Sequence, residues 1–313
     1  MTVPSVPSST WWRRIERDVL SVSGPDAVSY LQGQCSQDVA ALEVGASTEA
    51  LLLSPQGKIE AWVRCTRIDP EGFVLDTDAG SGAGALARLE RFRLRTKVVL
   101  EPLDWACVAV RGPDATAVAQ APDGSTEGPS LMLAVAWPGY EGVDLLGPAP
   151  HGDAACAGWV TSDLLRADLA TWDAARIEAG IPMAGKEITE ATIAAEVGLV
   201  ERTVSFTKGC YTGQELVARL DARGSNVARR LCSLVLAGDE VPPPGAEVWT
   251  ADGSHESGMV TSSGRTGGTG LPVALALVHR RIELPGSVLV RWEASDGPTH
   301  EVVGEVRPLP AQG

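Results

Sequence analysis

The chain has 313 residues, of which 44% are apolar and 21% are charged, so it can form two or three domains with ordinary hydrophobic cores. The net charge of −14 and the pI near 4.8 disfavour tight binding to the phosphate backbone of nucleic acids. The first ten residues lack the basic and apolar regions of a secretory signal, and the apolar runs at 131–137 and 273–278 are too short to span a bilayer. The sequence therefore predicts a cytoplasmic protein that does not use a membrane.

Strands and helices alternate in the first two thirds of the chain. A strand predicted at 19–22 ends at Gly24-Pro25, and Ser23 is expected to cap the helix predicted at 26–34. The remaining patterns predict strands at 59–66, 97–100, 104–110, 131–137 and 140–146, helices at 81–95 and 161–179, and a surface loop at 121–130.

The pattern changes near Asn226, where short apolar strands begin to alternate with Gly- and Pro-rich turns. This spacing predicts a small β-barrel domain. Its expected strands are 231–236, 247–250, 258–262, 274–278, 287–292 and 301–306. We therefore expect an α+β region at 1–226, with two interleaved lobes, and a C-terminal β-barrel domain at 227–313.

The cysteines and histidines do not form metal-binding or disulfide patterns. The six cysteines are far apart and include no C-x-x-C pair, and no histidine is near another potential ligand at metal-binding spacing. The sequence predicts neither a disulfide framework nor a metal site.

The most distinctive segment is K-G-C-Y-T-G-Q-E, which we call the signature loop and which consists of Lys208, Gly209, Cys210, Tyr211, Thr212, Gly213, Gln214 and Glu215. Gly209 and Gly213 are expected to let the backbone turn sharply and approach a ligand. Cys210 lies beside Lys208, near an expected helix start, and such neighbours favour the reactive thiolate. The alternative is a tight loop around an inert, buried thiol.

In the signature loop the chain resembles the YgfZ family, relatives of the glycine-cleavage T-protein, an aminomethyltransferase. Four further strings match in order: L-Q-G-Q at 31–34 followed by D-V at 38–39, S-P-Q-G-K at 54–58, R-L-R-T-K-V at 93–98 and R-I-E-A-G at 176–180. The matches run from about residue 15 to residue 226. The resemblance implies a three-lobed, cloverleaf-like α+β fold around a folate-sized central cavity, with a small C-terminal β-barrel.

The resemblance also implies a tetrahydrofolate site. It gives Glu178 the role of accepting hydrogen bonds from the pterin, and it places Trp172 beside the folate, where its ring can stack. Arg176 belongs to the same element. The expected site further includes, from the signature loop, Gly209, Tyr211, Gly213, Gln214 and Glu215, with Cys210 as the functional thiol and Lys208 beside it.

Simpler roles are open for each of these side chains. Trp172 can be a core residue, and Glu178 can be a surface carboxylate. The cations Arg88, Arg91, Arg93, Arg95 and Lys97 can bind a folate glutamate tail or complement a helix C-terminus, and the second role is favoured.

The sequence departs from the T-protein pattern at one point. Ala61 and Trp62 stand where T-proteins carry an aspartate pair, and neither can transfer a proton. Glu60 is one position away, which in a strand places it on the opposite face from Ala61.

The resemblance therefore implies a folate-binding factor in the assembly, maturation or repair of iron–sulfur proteins. Such a factor would support cluster-dependent enzymes such as tRNA-modifying ones, and its partners would be client or assembly proteins. Two alternatives are a folate-dependent aminomethyltransferase or other one-carbon transferase, and a non-catalytic scaffold in which Cys210 is incidental.

Overall fold

The structure is a computed structural model that describes residues 9–119, 128–148, 156–161, 163–222, 224, 226–293, 297 and 299–311. Its regular elements are, in chain order, β1 (Trp11–Ile15), β2 (Arg17–Ser23), α1 (Ala27–Gln34), β3 (Ser47–Leu53), β4 (Ile59–Asp69), β5 (Gly72–Asp78), α2 (Gly82–Arg91), β6 (Val99–Leu103), β7 (Trp105–Arg111), α3 (Ala115–Val118), β8 (Leu131–Ala134), β9 (Gly142–Pro148), β10 (Leu165–Arg166), α4 (Leu169–Glu178), α5 (Val200–Thr203), α6 (Gln214–Asp221), β11 (Arg229–Leu236), β12 (Glu247–Thr250), β13 (Glu256–Arg265), β14 (Pro272–His279), β15 (Gly286–Glu293) and β16 (Thr299–Arg307).

The strands before residue 170 form two five-stranded sheets. Sheet I has the order β3-β4-β5-β2-β6, and sheet II has the order β10-β1-β7-β9-β8. Neighbouring strands are antiparallel except for β1 and β10, which are parallel. Because β1 belongs to sheet II and β2 to sheet I, all of sheet I lies within the sequence between two strands of sheet II.

Sheet I has two buried faces. On one face Ala61, Val63 and Cys65 alternate along β4 and pack in a core with Leu31 of α1 and Leu89 of α2. These apolar residues recur at strand and helix periods, which is why the two helices cover this face.

The other face of sheet I meets sheet II through a small apolar core, which includes Val19 and Leu146, and through charged side chains. Arg64 donates to Asp76 and to Asp144 of β9, each at 2.9 Å, and Arg17 donates to Asp76 at 2.6 Å. Arg64, Asp76 and Asp144 are all buried, and their mutual pairing makes this burial tolerable. The ion pairs therefore hold the two sheets at a fixed separation.

The C-terminal strands form a closed barrel in the order β11-β14-β13-β12-β15-β16. The predicted α+β class and C-terminal β-barrel are confirmed. The division of the chain at residue 226 stays a prediction, although it falls just before β11.

Two predicted helices are shorter in the structure. The helix predicted at 81–95 ends at Arg91, because Arg95 adopts a left-handed φ of 61° and Leu94 is 83% exposed. The helix predicted at 161–179 begins only at Leu169, where the Asp168 carboxylate accepts a hydrogen bond from the Thr171 amide at 2.8 Å. The residues before it form β10.

Two smaller expectations also changed. Ser23 is the last residue of β2, and Asp26 instead precedes α1, where its carboxylate accepts from the Lys97 amide. The strand predicted at 131–137 ends already at Ala134, and the one predicted at 140–146 runs from Gly142 to Pro148, because the Tyr140 amide donates to the Trp137 carbonyl in a turn. Residues 120–127 of the predicted loop at 121–130 lie outside the described residues.

Candidate functional site

Four aromatic side chains meet between sheet II and α4, and we call them the aromatic cluster: Trp11, Trp137, Tyr140 and Trp172. The ring centroids of Trp137 and Trp172 are 4.8 Å apart, and Trp11 meets Trp172 edge-on at 6.3 Å. The β8–β9 turn brings in Trp137 and Tyr140, which lie edge-to-face at 6.4 Å. Such packing fixes the ring planes and leaves faces on which a flat ligand can stack.

Glu178 ends α4 beside this cluster. Its Oε2 accepts a hydrogen bond from the Tyr140 hydroxyl at 2.5 Å. Its Oε1 is buried and meets no donor in hydrogen-bond geometry among the described residues. Burial raises the pKa of this carboxyl above its usual range, while the Tyr140 hydroxyl and, from longer range, the Gly267 amide favour the charged form. An acceptor without a partner at such a place is unusual in a folded protein.

Arg111 is the cation of this region. Its guanidinium carbon lies 4.4 Å from the Trp137 ring centroid and 5.2 Å from that of Trp172, and its Nη1 is 2.9 Å from Asp144 Oδ1. The Nε of Arg111 and the Nε1 of Trp11 are buried without a hydrogen-bond acceptor among the described residues. The site thus presents buried donors as well as the free oxygen of Glu178.

A partly open cavity of about 80 Å³ is bordered by Trp62, Arg111, Trp137, Trp172 and Arg176. This volume is below the range of roughly 300–1,000 Å³ that is typical of small-molecule sites. Trp62 also borders an adjoining cleft of about 920 Å³. The cavity beside Arg111 is therefore too small for a whole folate, and most of such a ligand would need the space beyond Trp62.

Arg176 has mainly a structural role in this arrangement. It donates through Nη1 to the Ile181 carbonyl and Glu187, and through Nη2 to Ser262 on β13 at 2.7 Å. Ser262 in turn donates to Glu187 at 2.5 Å. These bonds join α4 to the barrel and thereby orient Trp172, one helical turn before Arg176.

The position of the missing aspartates faces the same region. Trp62 lines the cavity, while Ala61 points into the core of sheet I. Glu60 forms an ion pair with Arg88 at 2.8 Å. Arg88 is buried and also donates to the Leu53 carbonyl, so this member of the basic run serves local structure. Among Ala61, Trp62 and Glu60, only Glu60 can accept a proton. Its carboxylate is held in the ion pair with Arg88.

The signature loop is held against α1 by Lys208. Its Nζ donates to the carbonyls of Gln32 and Cys35, each at 2.6 Å, and to that of Gln37 at 3.0 Å. Burial lowers the pKa of this ammonium. Lys208 therefore anchors the loop through the chain segment that follows α1, and its three donors are used there.

The two glycines of the loop differ. Gly213 has a φ of 83°, and a Cβ there would lie 2.5 Å from the Ser54 carbonyl oxygen, so the loop and the 54–57 turn approach closely. Gly209 does not have a left-handed φ, and a Cβ there would meet open space. The expectation of a sharp turn holds for Gly213 and is wrong for Gly209.

Cys210 is exposed, so the alternative of a buried thiol is wrong for this residue, whereas the other five cysteines are buried. It lies outside α6, which begins at Gln214 after Gly213. The Gln214 side chain accepts from the Tyr211 amide at 3.2 Å, and Glu215 is exposed in the first turn of the helix. The structure therefore presents the Cys210 thiol to solvent on an anchored loop. The sequence suggested that the Lys208 ammonium and a helix start favour the thiolate of Cys210. In the structure the ammonium donates to three backbone carbonyls, and the helix begins only at Gln214.

The residues expected to bind folate lie in two places. Trp172 and Glu178 meet at the aromatic cluster, while Cys210, Tyr211, Gln214 and Glu215 belong to the loop beside α1. Sequence reasoning did not identify Trp137, Tyr140 or Arg111 as functional. The only local signal was the pair of aromatic residues on either side of Pro138-Gly139, between two predicted strands. Within the described ranges, no group of three metal-ligating side chains is present, and no helix is long and apolar enough to span a membrane.

Several known proteins are similar to this chain in sequence. The GCVT N-terminal domain family matches residues 18–128. The tRNA-modifying protein YgfZ of Klebsiella pneumoniae is 32% identical over 248 residues, which cover 73% of this chain and 72% of that protein. The chain belongs to the YgfZ family. The YgfZ protein of Edwardsiella ictaluri is 29% identical over 285 residues, 87% of this chain and 84% of that protein.

Two further proteins are similar to this chain, one in sequence and one in structure. A mitochondrial iron–sulfur cluster assembly factor IBA57 homolog of Mycosarcoma maydis is 33% identical over 255 residues, covering 76% of this chain and 60% of that protein. The crystal structure of the glycine cleavage system aminomethyltransferase T of Bartonella henselae matches with a TM-score of 0.80 at 22% identity, over 97% of this chain and 87% of that one. At this identity the match shows that this YgfZ-family chain has the T-protein fold.

Proposed function

We propose that this YgfZ-family protein is a tetrahydrofolate-binding factor that acts in the cytoplasm in the assembly, maturation or repair of iron–sulfur proteins, and that Cys210 is its functional thiol. Cluster-dependent enzymes such as tRNA-modifying ones would depend on it. The names of its relatives, tRNA-modifying protein and iron–sulfur cluster assembly factor, support this general role.

One observation carries the folate proposal. The buried Oε1 of Glu178 meets no donor in hydrogen-bond geometry among the described residues, and the carboxylate lies beside rings whose planes are fixed by packing. A carboxylate accepts hydrogen bonds from the amino group and ring N–H of a pterin, while Trp172 and Trp137 offer faces for stacking. When bound, folate supplies a carrier for a one-carbon unit.

The protein's own residues orient the ligand and exclude water. Tyr140 holds the Glu178 carboxylate in place through its hydroxyl, and Arg176 fixes the helix that carries Trp172. Trp62 stands at the position of the T-protein aspartates and can neither take nor give a proton. The site thus binds folate without the group that aminomethyl transfer uses.

Cys210 lies on the outer surface, where a large partner can reach it. A single thiolate cannot hold an iron–sulfur cluster alone, because such clusters take about four ligands. The partner in this chemistry is therefore a client or assembly protein, or a small thiol, that contributes the remaining ligands.

Folate binding is tested by titration calorimetry with tetrahydrofolate. We expect Trp172→Leu and Glu178→Gln each to weaken binding by about 10- to 100-fold, since each removes an interaction of about 1.5–3 kcal/mol. The matched control is Trp12→Leu, because Trp12 is buried in a separate cluster around Val108 and Val110. Wild-type affinity in both site variants would refute this site.

The role of the thiol is tested by genetic rescue. In a host that lacks the gene, we expect the wild-type chain to restore the activities of several iron–sulfur enzymes and Cys210→Ser not to restore them. Full rescue by the serine variant would show that the thiol is dispensable. A defect confined to glycine or one-carbon metabolism would instead support the transferase alternative.

A further inference from the structure

Arg111 has unused hydrogen-bonding capacity at the aromatic cluster. It is 1% exposed, and within the described part of the chain its hydrogen bonds and its ion pair are made by Nη1, to the carbonyls of Val110 and Val143 and to Asp144. Its Nε is buried and has no acceptor among the described residues. A buried guanidinium normally fills its donors, because each unpaired donor carries a desolvation penalty.

The fold holds this side chain in place. Gly142 stands opposite Arg111 in the β7–β9 pair, and a Cβ at this position would lie 2.8 Å from Arg111 Cδ and 3.2 Å from Nε. The glycine therefore lets the Arg111 side chain lie flat against the sheet. The guanidinium then lies over one face of the Trp137 ring and near the Trp172 ring, and it borders the cavity.

Arg111 and Glu178 present complementary chemistry to the same rings. The Tyr140 hydroxyl holds Glu178, and the Tyr140 ring packs edge-on against Trp137, the ring beneath Arg111. A free acceptor and free donors thus belong to one aromatic cluster. A flat ligand that satisfies both has N–H donors and a carbonyl acceptor along one edge.

We propose that Arg111 is a specificity-determining residue that donates to the 4-oxo group of a bound pterin, so that the site selects 4-oxo over 4-amino pteridines. This inference rests on the proposed folate site. The 2-amino group and N3–H of a pterin are donors suited to Glu178, and the adjacent 4-oxo group is the acceptor that Arg111 lacks. A 4-amino group would place N–H donors against the guanidinium N–H groups and leave both unpaired. Sites built to hydrogen-bond a ligand group discriminate strongly against analogues without it.

The test compares folic acid with aminopterin, which differs from folic acid by a 4-amino group in place of the 4-oxo group. We expect the wild-type protein to bind folic acid at least tenfold more tightly than aminopterin. Arg111→Lys keeps a charge near Asp144 but loses the planar fork, and we expect it to reduce the ratio to about threefold or less. The matched control is Arg67→Lys, since Arg67 also lies over an aromatic ring, that of Phe73, and donates to backbone carbonyls but does not border the cavity; we expect it to keep the wild-type ratio.

The outcomes separate the two proposals. If the wild-type protein binds both ligands equally, the role of Arg111 is refuted and folate binding stands. If it binds neither, the folate site itself is refuted, and the Arg111 role with it. If Arg111→Lys keeps the wild-type ratio, Arg111 is not the selecting donor. If Arg111→Lys does not fold, Gly142→Ala displaces the same side chain, and an unchanged ratio in that variant refutes the proposal.

Discussion

The aromatic cluster and the signature loop differ in whether the residue of interest is buried or exposed. In the cluster the polar atoms without partners are buried, and the residues that hold them are tied to other elements: Glu178 to Tyr140, and Arg111 to Asp144. In the loop the residue of interest, Cys210, is exposed, and the nearby Lys208 is half-buried and donates to three carbonyls. The difference supports the two proposals, a small ligand at the cluster and a larger partner at the loop.

The largest effect on stability is expected from a change that disturbs the anchoring of the loop. We expect Gly213→Ala to lower the free energy of unfolding by about 3 kcal/mol or more, because the left-handed φ and the nearby Ser54 carbonyl both oppose a Cβ. Gly209→Ala is the control, and we expect it to change stability little. Urea denaturation of both variants measures this, and equal effects would contradict the described loop conformation.

Lys208 comes next in expected effect. Lys208→Met leaves three carbonyl oxygens without their donor, so we expect a loss of about 2–3 kcal/mol in the free energy of unfolding. Lys186→Met removes only an exposed ion pair with Asp173, so its cost should be below about 1 kcal/mol. If the two lysine variants unfold at the same urea concentration, the hydrogen bonds from Lys208 to the three carbonyls do not anchor the loop.

At the cluster, the prediction concerns pH. Burial raises the pKa of Glu178 in the folded state above its usual 4.5, so the folded wild-type chain binds a proton more readily than the unfolded chain. Its stability relative to Glu178→Gln should therefore fall as the pH rises from 4.5 through the folded pKa. Below pH 4.5 both states of the wild type are neutral at this residue, and the difference should stay constant. Melting temperatures of both proteins at pH 4 and pH 7 check this. If the difference between the two melting temperatures does not change with pH, burial of the charged carboxylate costs no free energy.

The smallest effect is expected at the thiol itself. Cys210→Ser should change the free energy of unfolding by less than about 0.5 kcal/mol, because the side chain is exposed. Cys35→Ser places a hydroxyl at a fully buried position and should cost about 1–3 kcal/mol. A large loss in Cys210→Ser would mean that this residue has a structural role, and that a failed genetic rescue reports folding instead of chemistry.

The sequence located what is encoded locally. The strand and helix periods identified β2, β4 and β6 of sheet I, α1 and the barrel, but not β3 and β5. Short strings made Trp172, Glu178 and Cys210 candidates. It did not give the partners of these residues. Tyr140 and Arg111 reach the cluster from strands and turns of sheet II, and their place depends on contacts that no local pattern records.

The direction of side chains was also beyond the sequence. Lys208 is close to Cys210 in the chain, which suggested an influence on the thiol, but the three carbonyls near the end of α1 draw its ammonium away. The start of α4 was misjudged because Leu165 and Arg166 find a parallel partner in β1, far away in sequence. Non-local pairing overrode local propensity in that segment.

The insertion of sheet I between strands of sheet II has a consequence for the order in which the chain can fold on the ribosome. β1 emerges early, but it must wait for its antiparallel partner β7, whose first residue is Trp105. Sheet I and its helices lie wholly in the intervening stretch and can form while β1 is still unpaired. Trp11 and Trp12 are buried at 2% and 5% exposure in the finished protein, so during synthesis they are exposed aromatic side chains on an unpaired strand, open to chaperones or to misassociation. The aromatic cluster, which needs β1, the β8–β9 turn and α4, is therefore completed only after about half of the chain has been made.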